Sequence, residues 1–442
     1  MKKSYLSRWI RPCSAAAMLL ATSGAVQAAG GYFILGYGPL AHQSAGTATA
    51  TGLDAFSGAT NPGKLSAVGD RHDLGLVVFS PYRRVQREGS GTDYDFDSVS
   101  ANSAFFLPEA GIARRINEEF SWGLSLYGNG GLNTSYEDTN GVAGSNFNPG
   151  RCGNQESNFL FGCGNVGIDI SQVIIAPTLS WQFSPRHSFG VAPLLGYQQF
   201  KAYGLQAFEG VSQDANAVSN RGYDRAFGAG VRVGWYAQMN PWLSLGASYS
   251  SRVFFERLEK YRGLLAGDGR FDIPANFSVG LSVKPLEKWE VAVDVQHIEF
   301  GKIRALGNGG LNSLQDPANS PLGGRNGSGF NWRDQTNYRI ALIHQATPQI
   351  TLRAGFAYGR QPQRDRTANS VTFNMLAPNP TRNATVGMTY KWNGGNDFHF
   401  AYGRYIEADY SGPSASAGLG VGGIETITPH VDSFWLGWSK RI

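Results

Sequence analysis

Period-two alternation of apolar and polar side chains recurs along the whole chain, in segments whose connections are short and long by turns. Trp289, Val291, Val293 and Val295 alternate with Glu290, Ala292, Asp294 and Gln296. Phe227, Ala229, Val231, Val233, Trp235 and Ala237 form one face, with Arg232, Tyr236 and Gln238 on the other. Ile350 to Tyr358 and Phe398 to Gly403 repeat the pattern. Such spacing is the signature of half-buried strands. Short turns fall at 117–119, 184–186, 239–241, 285–288, 346–349 and 393–396. Between them lie longer polar, Gly-rich segments at 87–103, 137–166, 205–221, 258–271, 306–330, 363–379 and 409–429. Six short and seven long connections join fourteen strands. A soluble sandwich alternates too, but nothing sorts its loops by length. An outer-membrane barrel does sort them, with short periplasmic turns, long extracellular loops and an even strand count. Closure removes every strand edge, which is what lets a sheet sit in lipid. The expected fold is all-β, a fourteen-stranded antiparallel transmembrane barrel spanning residues 71–442.

The first residues read as an export signal. Lys2, Lys3, Arg8 and Arg11 precede an apolar stretch from Ala15 to Val26, and Val26-Gln27-Ala28 supplies the small residues of a cleavage site. Cleavage after Ala28 removes 28 of the 442 residues and leaves 414. The signal carries four cations and no acid, so the formal charge of +5 falls to about +1. No basic patch then remains to argue for nucleic acid. Beyond the signal, no window approaches the ~18 consecutive apolar residues of a membrane helix. Glycine makes up 58 of 442 residues, about 13% and roughly twice ordinary usage, which suits a sheet with many turns. Cys152 and Cys163 remain after cleavage. In an oxidising compartment they are expected to form one local disulfide.

Residues 29–70 precede the first strand and show no alternation; Ala, Gly and Thr dominate. The segment is either a periplasmic tail or a plug. A fourteen-stranded barrel has a lumen wider than its own side chains fill, and these small residues could pack there.

Ser44-Ala45-Gly46 followed by Asn61-Pro62-Gly63, Ser121-Trp122-Gly123-Leu124-Ser125 to Tyr136, Tyr338-Arg339-Ile340-Ala341-Leu342, and Leu352 to Tyr358 occur in that order along the chain. Together they resemble the FadL/TodX family of outer-membrane transporters for long-chain fatty acids and other hydrophobic compounds. The resemblance implies a fourteen-stranded barrel with an N-terminal hatch at residues 29–70. It implies capture in an apolar groove among the loops, passage to a lumenal pocket, and sideways exit at a kink in the third strand. Two features depart from the family. Gly63 stands where the hatch motif has alanine, and a glycine there is expected to loosen the turn. Ile442 replaces the usual terminal aromatic.

Several side chains are candidates for this chemistry. Gly128-Asn129-Gly130-Gly131 interrupts the third strand, and glycine inside a strand marks a bulge or bend. Asn129, Gly130 and Gly131 are therefore the expected lateral-opening kink. Phe147, Phe159, Leu160 and Phe161 surround the cysteine pair, and exposed apolar side chains imply a ligand or a packing partner. They are the candidate capture groove. Arg232, Arg339 and Arg353 face the lumen by parity and are candidates for a ligand carboxylate, which an arginine fork suits.

No enzyme is expected. The seven histidines, at 42, 72, 187, 297, 344, 399 and 430, lie in no Gly-x-Ser-x-Gly or comparable setting. Asp93, Asp95 and Asp97 open like a calcium loop, but Ser98 and Ala104 stand where its Gly and Glu belong. No metal or cofactor is required. The expected partners are a hydrophobic small molecule, lipopolysaccharide and outer-membrane lipid, for a monomeric barrel in the Gram-negative outer membrane. Passive transport of long-chain fatty acids is the favoured function. Uptake of aromatic or alkane hydrocarbons, or a substrate-specific porin with an open polar lumen, are the alternatives.

Overall fold

The computed structural model describes residues 30–137, 152–153, 155–380, 382–406 and 409–442. The expected signal peptide and Phe147 lie outside them. Fourteen long strands form one antiparallel barrel. The first seven are β1 Arg71–Glu88, β2 Phe105–Arg115, β3 Phe120–Asn133, β4 Gly167–Ser184, β5 His187–Tyr203, β6 Asp224–Asn240 and β7 Leu243–Ser250. The others are β8 Asn276–Leu286, β9 Trp289–Ile298, β10 Gln335–Gln345, β11 Ile350–Gly359, β12 Arg382–Lys391, β13 Asn396–Ile406 and β14 Ile424–Arg441. Each pairs with its sequence neighbours, and β14 pairs with β1 from Arg71–Arg441 to Glu88–Ile424, which closes the wall. Short pieces extend this wall into the loops: Phe96–Val99 on β1, Phe254–Phe255 on β6 and Tyr410–Pro413 on β14.

Local chemistry makes the tight turns. Asn117 Oδ1 accepts from the Glu119 and Phe120 amides, and Asn240 Oδ1 accepts from the Trp242 amide. Such side-chain turns are a specialty of Asn. Along each strand the outward face is apolar. Phe227 is 65% exposed and Leu436 is 55% exposed, whereas their neighbours Ala226 and Trp435 are buried. Trp122, Trp181, Trp242 and Trp392 are exposed near the short turns, as in an aromatic girdle.

The lumen is filled by residues 30–70. Pro39–His42, Ser57–Thr60 and Pro62–Ala67 form short helical turns, and nearly every side chain of the segment is buried. Strands on all sides hold it. Asp294 Oδ2 on β9 accepts from the Ala48 and Thr49 amides and the Thr49 hydroxyl, each at 2.8 Å. Asp73 on β1 accepts from the Ala55 amide at 2.7 Å, and Thr385 on β12 takes the Ala45 amide at 2.8 Å. Asn61 accepts from the Gly63 amide and donates to Thr49 O and Trp235 O, so this one side chain both caps the turn and ties it to β6. Gly63 does not loosen that turn. A Cβ there would lie 2.9 Å from Gly234 O and from the Tyr236 amide nitrogen. The residue is small because the plug presses against the wall.

Removing the Asp294 carboxylate would leave three buried donors unpaired, at ~1–3 kcal/mol each. Asp294→Ala is therefore expected to free the plug while the barrel stays folded. Ion conductance in planar bilayers should rise several-fold, with unchanged heat-modifiable gel mobility. Parental conductance in the variant would contradict this role of Asp294.

Candidate functional site

The third strand carries a bulge where its glycines predicted one. Gly128 pairs with Val173 and Gly130 with Gln172, so Asn129 is the extra residue. The bulge coincides with a seam in the wall. Backbone pairing between β2 and β3 stops at Ala110–Leu126. Above that point Phe105–Glu109 pairs with β1 and Tyr127–Asn133 with β4, and the two strands no longer pair with each other.

The free edge of β3 is capped by the plug. The Ile34 amide donates to Asn129 O and the Gly131 amide donates to Tyr32 O, both at 3.2 Å. Phe33 thus pairs with Gly130 as a missing strand would. Glycine is required for this approach, since a Cβ on Gly130 would lie 2.1 Å from Tyr32 O. Tyr37 donates its hydroxyl to Asn129, which in turn donates to Gln172. On the other side of the seam, Glu109 of β2 accepts from the Gly38 amide, contacts His42 and accepts from Trp435 Nε1.

Two apolar cavities lead to the seam. The larger, about 140 Å³, is lined by Tyr32, Phe33, Phe105, Leu107, Gly130 and Gly131, with Arg83 among its few polar side chains. The smaller, about 80 Å³, lies among the extracellular loops and is lined by Phe208, Leu264, Phe271, Phe330 and Phe373. Leu132, Ile170 and Leu376 line both, so the two cavities adjoin between the loops and the bulge.

The apolar run of the second long loop goes elsewhere. Phe159, Leu160 and Phe161 are buried and line neither cavity. The Cys152–Cys163 disulfide closes this loop, with Cα atoms 5.3 Å apart. Asn158 Oδ1 accepts from the Leu160 and Gly162 amides and folds the run inward. Phe159 then stacks on Phe96 at 4.5 Å, and the Arg87 guanidinium lies over Phe96 and Phe161. These side chains cement loops together, and the loop cavity is lined by other segments, among them the apolar run Leu264-Leu265-Ala266.

The three lumenal arginines face inward, as their parity required, and they grip the plug; Arg232 and Arg339 also line a small polar cavity between plug and wall. Arg232 donates to Gly58 O and Ala59 O, Arg339 to Gly46 O, and Arg353 to Gln43 Oε1 and Thr389. Each guanidinium has a plug acceptor, although Arg339 Nε has no partner among the described residues. Their sequence parity could not distinguish these uses. Two of the three aspartates of the first loop are likewise committed. Hydrogen bonds from Arg84 hold Asp97 below the usual carboxylate range, and those from Ser90 and Gly89 do so for Asp95. Among the described residues no cluster has the ligands for a metal ion.

Residues 20–414 match the family model described as outer membrane protein transport protein (OMPP1/FadL/TodX). The Pseudomonas putida toluene transporter TodX is similar in structure, with a TM-score of 0.66 and 15% identity over 92% of this chain and 99% of that one. A Pseudomonas aeruginosa FadL homologue gives a TM-score of 0.66 and 15% identity over 93% and 100%. The Ralstonia pickettii toluene transporter TbuX gives 0.61 and 15% over 92% and 99%. No curated protein matches this sequence. At these identities the structures speak for the fold, and the family model for the kinship: the chain belongs to the OMPP1/FadL/TodX family of outer-membrane transport proteins.

Proposed function

We propose that this outer-membrane barrel imports hydrophobic molecules passively, with long-chain fatty acids as its main cargo. Ligand enters the loop cavity around Phe208 and Phe373, moves down past Leu132 and Ile170, and rests in the larger cavity beside Gly130. Residues 29–70 act as a hatch that carries the Asn61-Pro62-Gly63 motif, packed against β5 and β6. Exit is lateral, through the seam between β2 and β3. The observation that carries this reading is the free β3 edge, capped by two backbone bonds from the plug and bordered by the larger cavity. A movement of Tyr32–Ile34 would uncover the edge and open the track to the membrane. The linked cavities favour a long flexible chain over a compact solute. A filled lumen argues against a wide polar porin. A single chain closes the barrel, which supports a monomer seated in lipopolysaccharide and outer-membrane lipid.

A second reading has its own support. A cavity of about 140 Å³ is close to the roughly 150 Å³ apolar site that accepts benzene in an engineered protein. TodX and TbuX are toluene transporters. Monoaromatic hydrocarbons are therefore the alternative cargo.

Labelled oleate uptake by a host lacking its own fatty-acid porin tests the first reading. Expression of this chain should raise uptake several-fold; folded protein that raises only toluene uptake would transfer the function to the second reading. The gate is tested separately. A Cβ on Gly128 would lie 4.0 Å from Leu107 Cβ across the seam, within disulfide range. Oxidised Leu107→Cys/Gly128→Cys should lose at least nine-tenths of uptake and recover it on reduction. Full uptake by the cross-linked protein would discard lateral exit.

A further inference from the structure

Several outward cations at the extracellular rim of the wall carry a carboxylate partner: Arg84 has Asp97, Arg252 has Asp272 and Arg404 has Asp432. Lys201 on β5 and Arg225 on β6 differ. Both point outward, since Phe200, Ala202 and Ala226 beside them are buried, while Leu195 and Phe227 of the same parity are exposed. Their strands are neighbours, with Gln199 opposite Arg225. Among the described residues neither cationic head has a carboxylate partner. The nearby acids are used on neutral donors. Asp169, opposite Lys201 on β4, accepts from the Tyr223 hydroxyl at 2.5 Å. Asp224 accepts from the Lys260 and Arg225 amides, and Glu256 from the Phe227 amide. Lys201 Nζ lies 4.7 Å from the ring centre of Tyr223 and 5.6 Å from that of Tyr203. Both rings are fixed, Tyr203 by its bond to Thr134 O and Tyr223 by Asp169 and by Lys260 Nζ on its carbonyl. An aromatic platform draws the ammonium into place but takes none of its strong N–H bonds.

The strands set the height of this patch. Phe189 and Tyr197 lie on the outward face of β5, eight residues apart, which is roughly 20 Å of height at ~3.3 Å per residue and a tilt of ~40°. The apolar band of such a barrel is about 25 Å tall and bordered by aromatic rows. Tyr197 and Phe227, 5.6 Å apart, stand at its upper edge. Arg225 and Lys201 follow about 5 and 10 Å higher, in the layer of the outer-leaflet head groups. We propose that Lys201 and Arg225, with exposed Arg221 and Lys260 beside them, dock the phosphorylated sugar head of lipopolysaccharide on the outside of the barrel. Its acyl chains lie on Leu195, Phe227 and Phe254, which are 51%, 65% and 58% exposed. Arg225 offers a phosphate its paired fork and Lys201 a point charge, as basic clusters at a membrane surface do for anionic heads. The proposal rests on the seating in lipopolysaccharide stated above, to which it gives a site, and not on the cargo.

The test uses the folded full chain in non-ionic detergent, titrated with bisphosphorylated lipid A, its dephosphorylated form and phosphatidylglycerol, and read by native mass spectrometry. The parent should bind bisphosphorylated lipid A at least tenfold more tightly than either other lipid. Lys201→Gln/Arg225→Gln should weaken it at least tenfold and change the dephosphorylated form less than twofold. Arg404→Gln, which removes a paired cation of the same rim, should weaken it less than threefold. Heat-modifiable gel mobility verifies the fold. Should the double variant not fold, the parental phosphate preference and Lys201→Gln alone, with at least a threefold loss, still decide. Equal binding of both lipid A forms by the parent, parental affinity in the double variant, or equal weakening by Arg404→Gln overturns the site. Equal binding of phosphatidylglycerol overturns its assignment to lipopolysaccharide. Oleate uptake by the double variant should stay within twofold of the parent, so the docking site and the uptake reading fail separately.

Discussion

Two backbone hydrogen bonds, Ile34 N to Asn129 O and Gly131 N to Tyr32 O, stand where a strand-to-strand ladder would otherwise run. Everything distinctive in this barrel depends on them. A β-edge inside a membrane must find partners, because lipid offers none. Here the partner is not the next strand but a segment that also fills the lumen. Wall and plug are thereby one mechanical system. The bulge at Asn129 sits where β3 parts from β2, Gly130 beside it admits the plug backbone, and Tyr37 fixes Asn129 from within.

The plug is held by directional polar contacts more than by apolar packing. Its small side chains leave backbone amides and carbonyls near the wall, and the wall answers with Asp73, Glu109, Asp294, Arg232, Arg339 and Arg353. Such contacts are strong when made and costly when half made. They favour discrete arrangements of the plug over gradual loosening. The apolar track lies on the opposite principle. Its lining is largely Phe, Leu and Ile.

The arginines show how one residue type serves three purposes in one lumen. Arg87 is buried with Glu425 and braces the loops through Phe96 and Phe161. Arg232, Arg339 and Arg353 hold the plug. Arg83 lines the larger apolar cavity. Their chemistry is the same; the acceptors around them differ.

The sequence by itself determined the barrel. Period-two alternation, connections sorted by length and a strand broken by Gly-Asn-Gly-Gly are local or repeating signals, and each survives without knowledge of neighbours. The strand count, the short turns, the inward face of Arg232, Arg339 and Arg353, and the bulge at Asn129 were legible for that reason. What those inward side chains touch was not. Parity puts Arg83 and Arg353 on the same side of the wall, yet only the folded plug decides which one is matched by Gln43 and which is left facing a cavity. Phe159-Leu160-Phe161 reads as an exposed apolar run until Asn158 turns it under the first loop. Gly63 reads as a flexible turn until the wall is seen to press upon it. In each case the deciding partner is more than fifty residues away or in another loop. Periodicity carries the direction of a side chain, and only tertiary structure supplies what it meets.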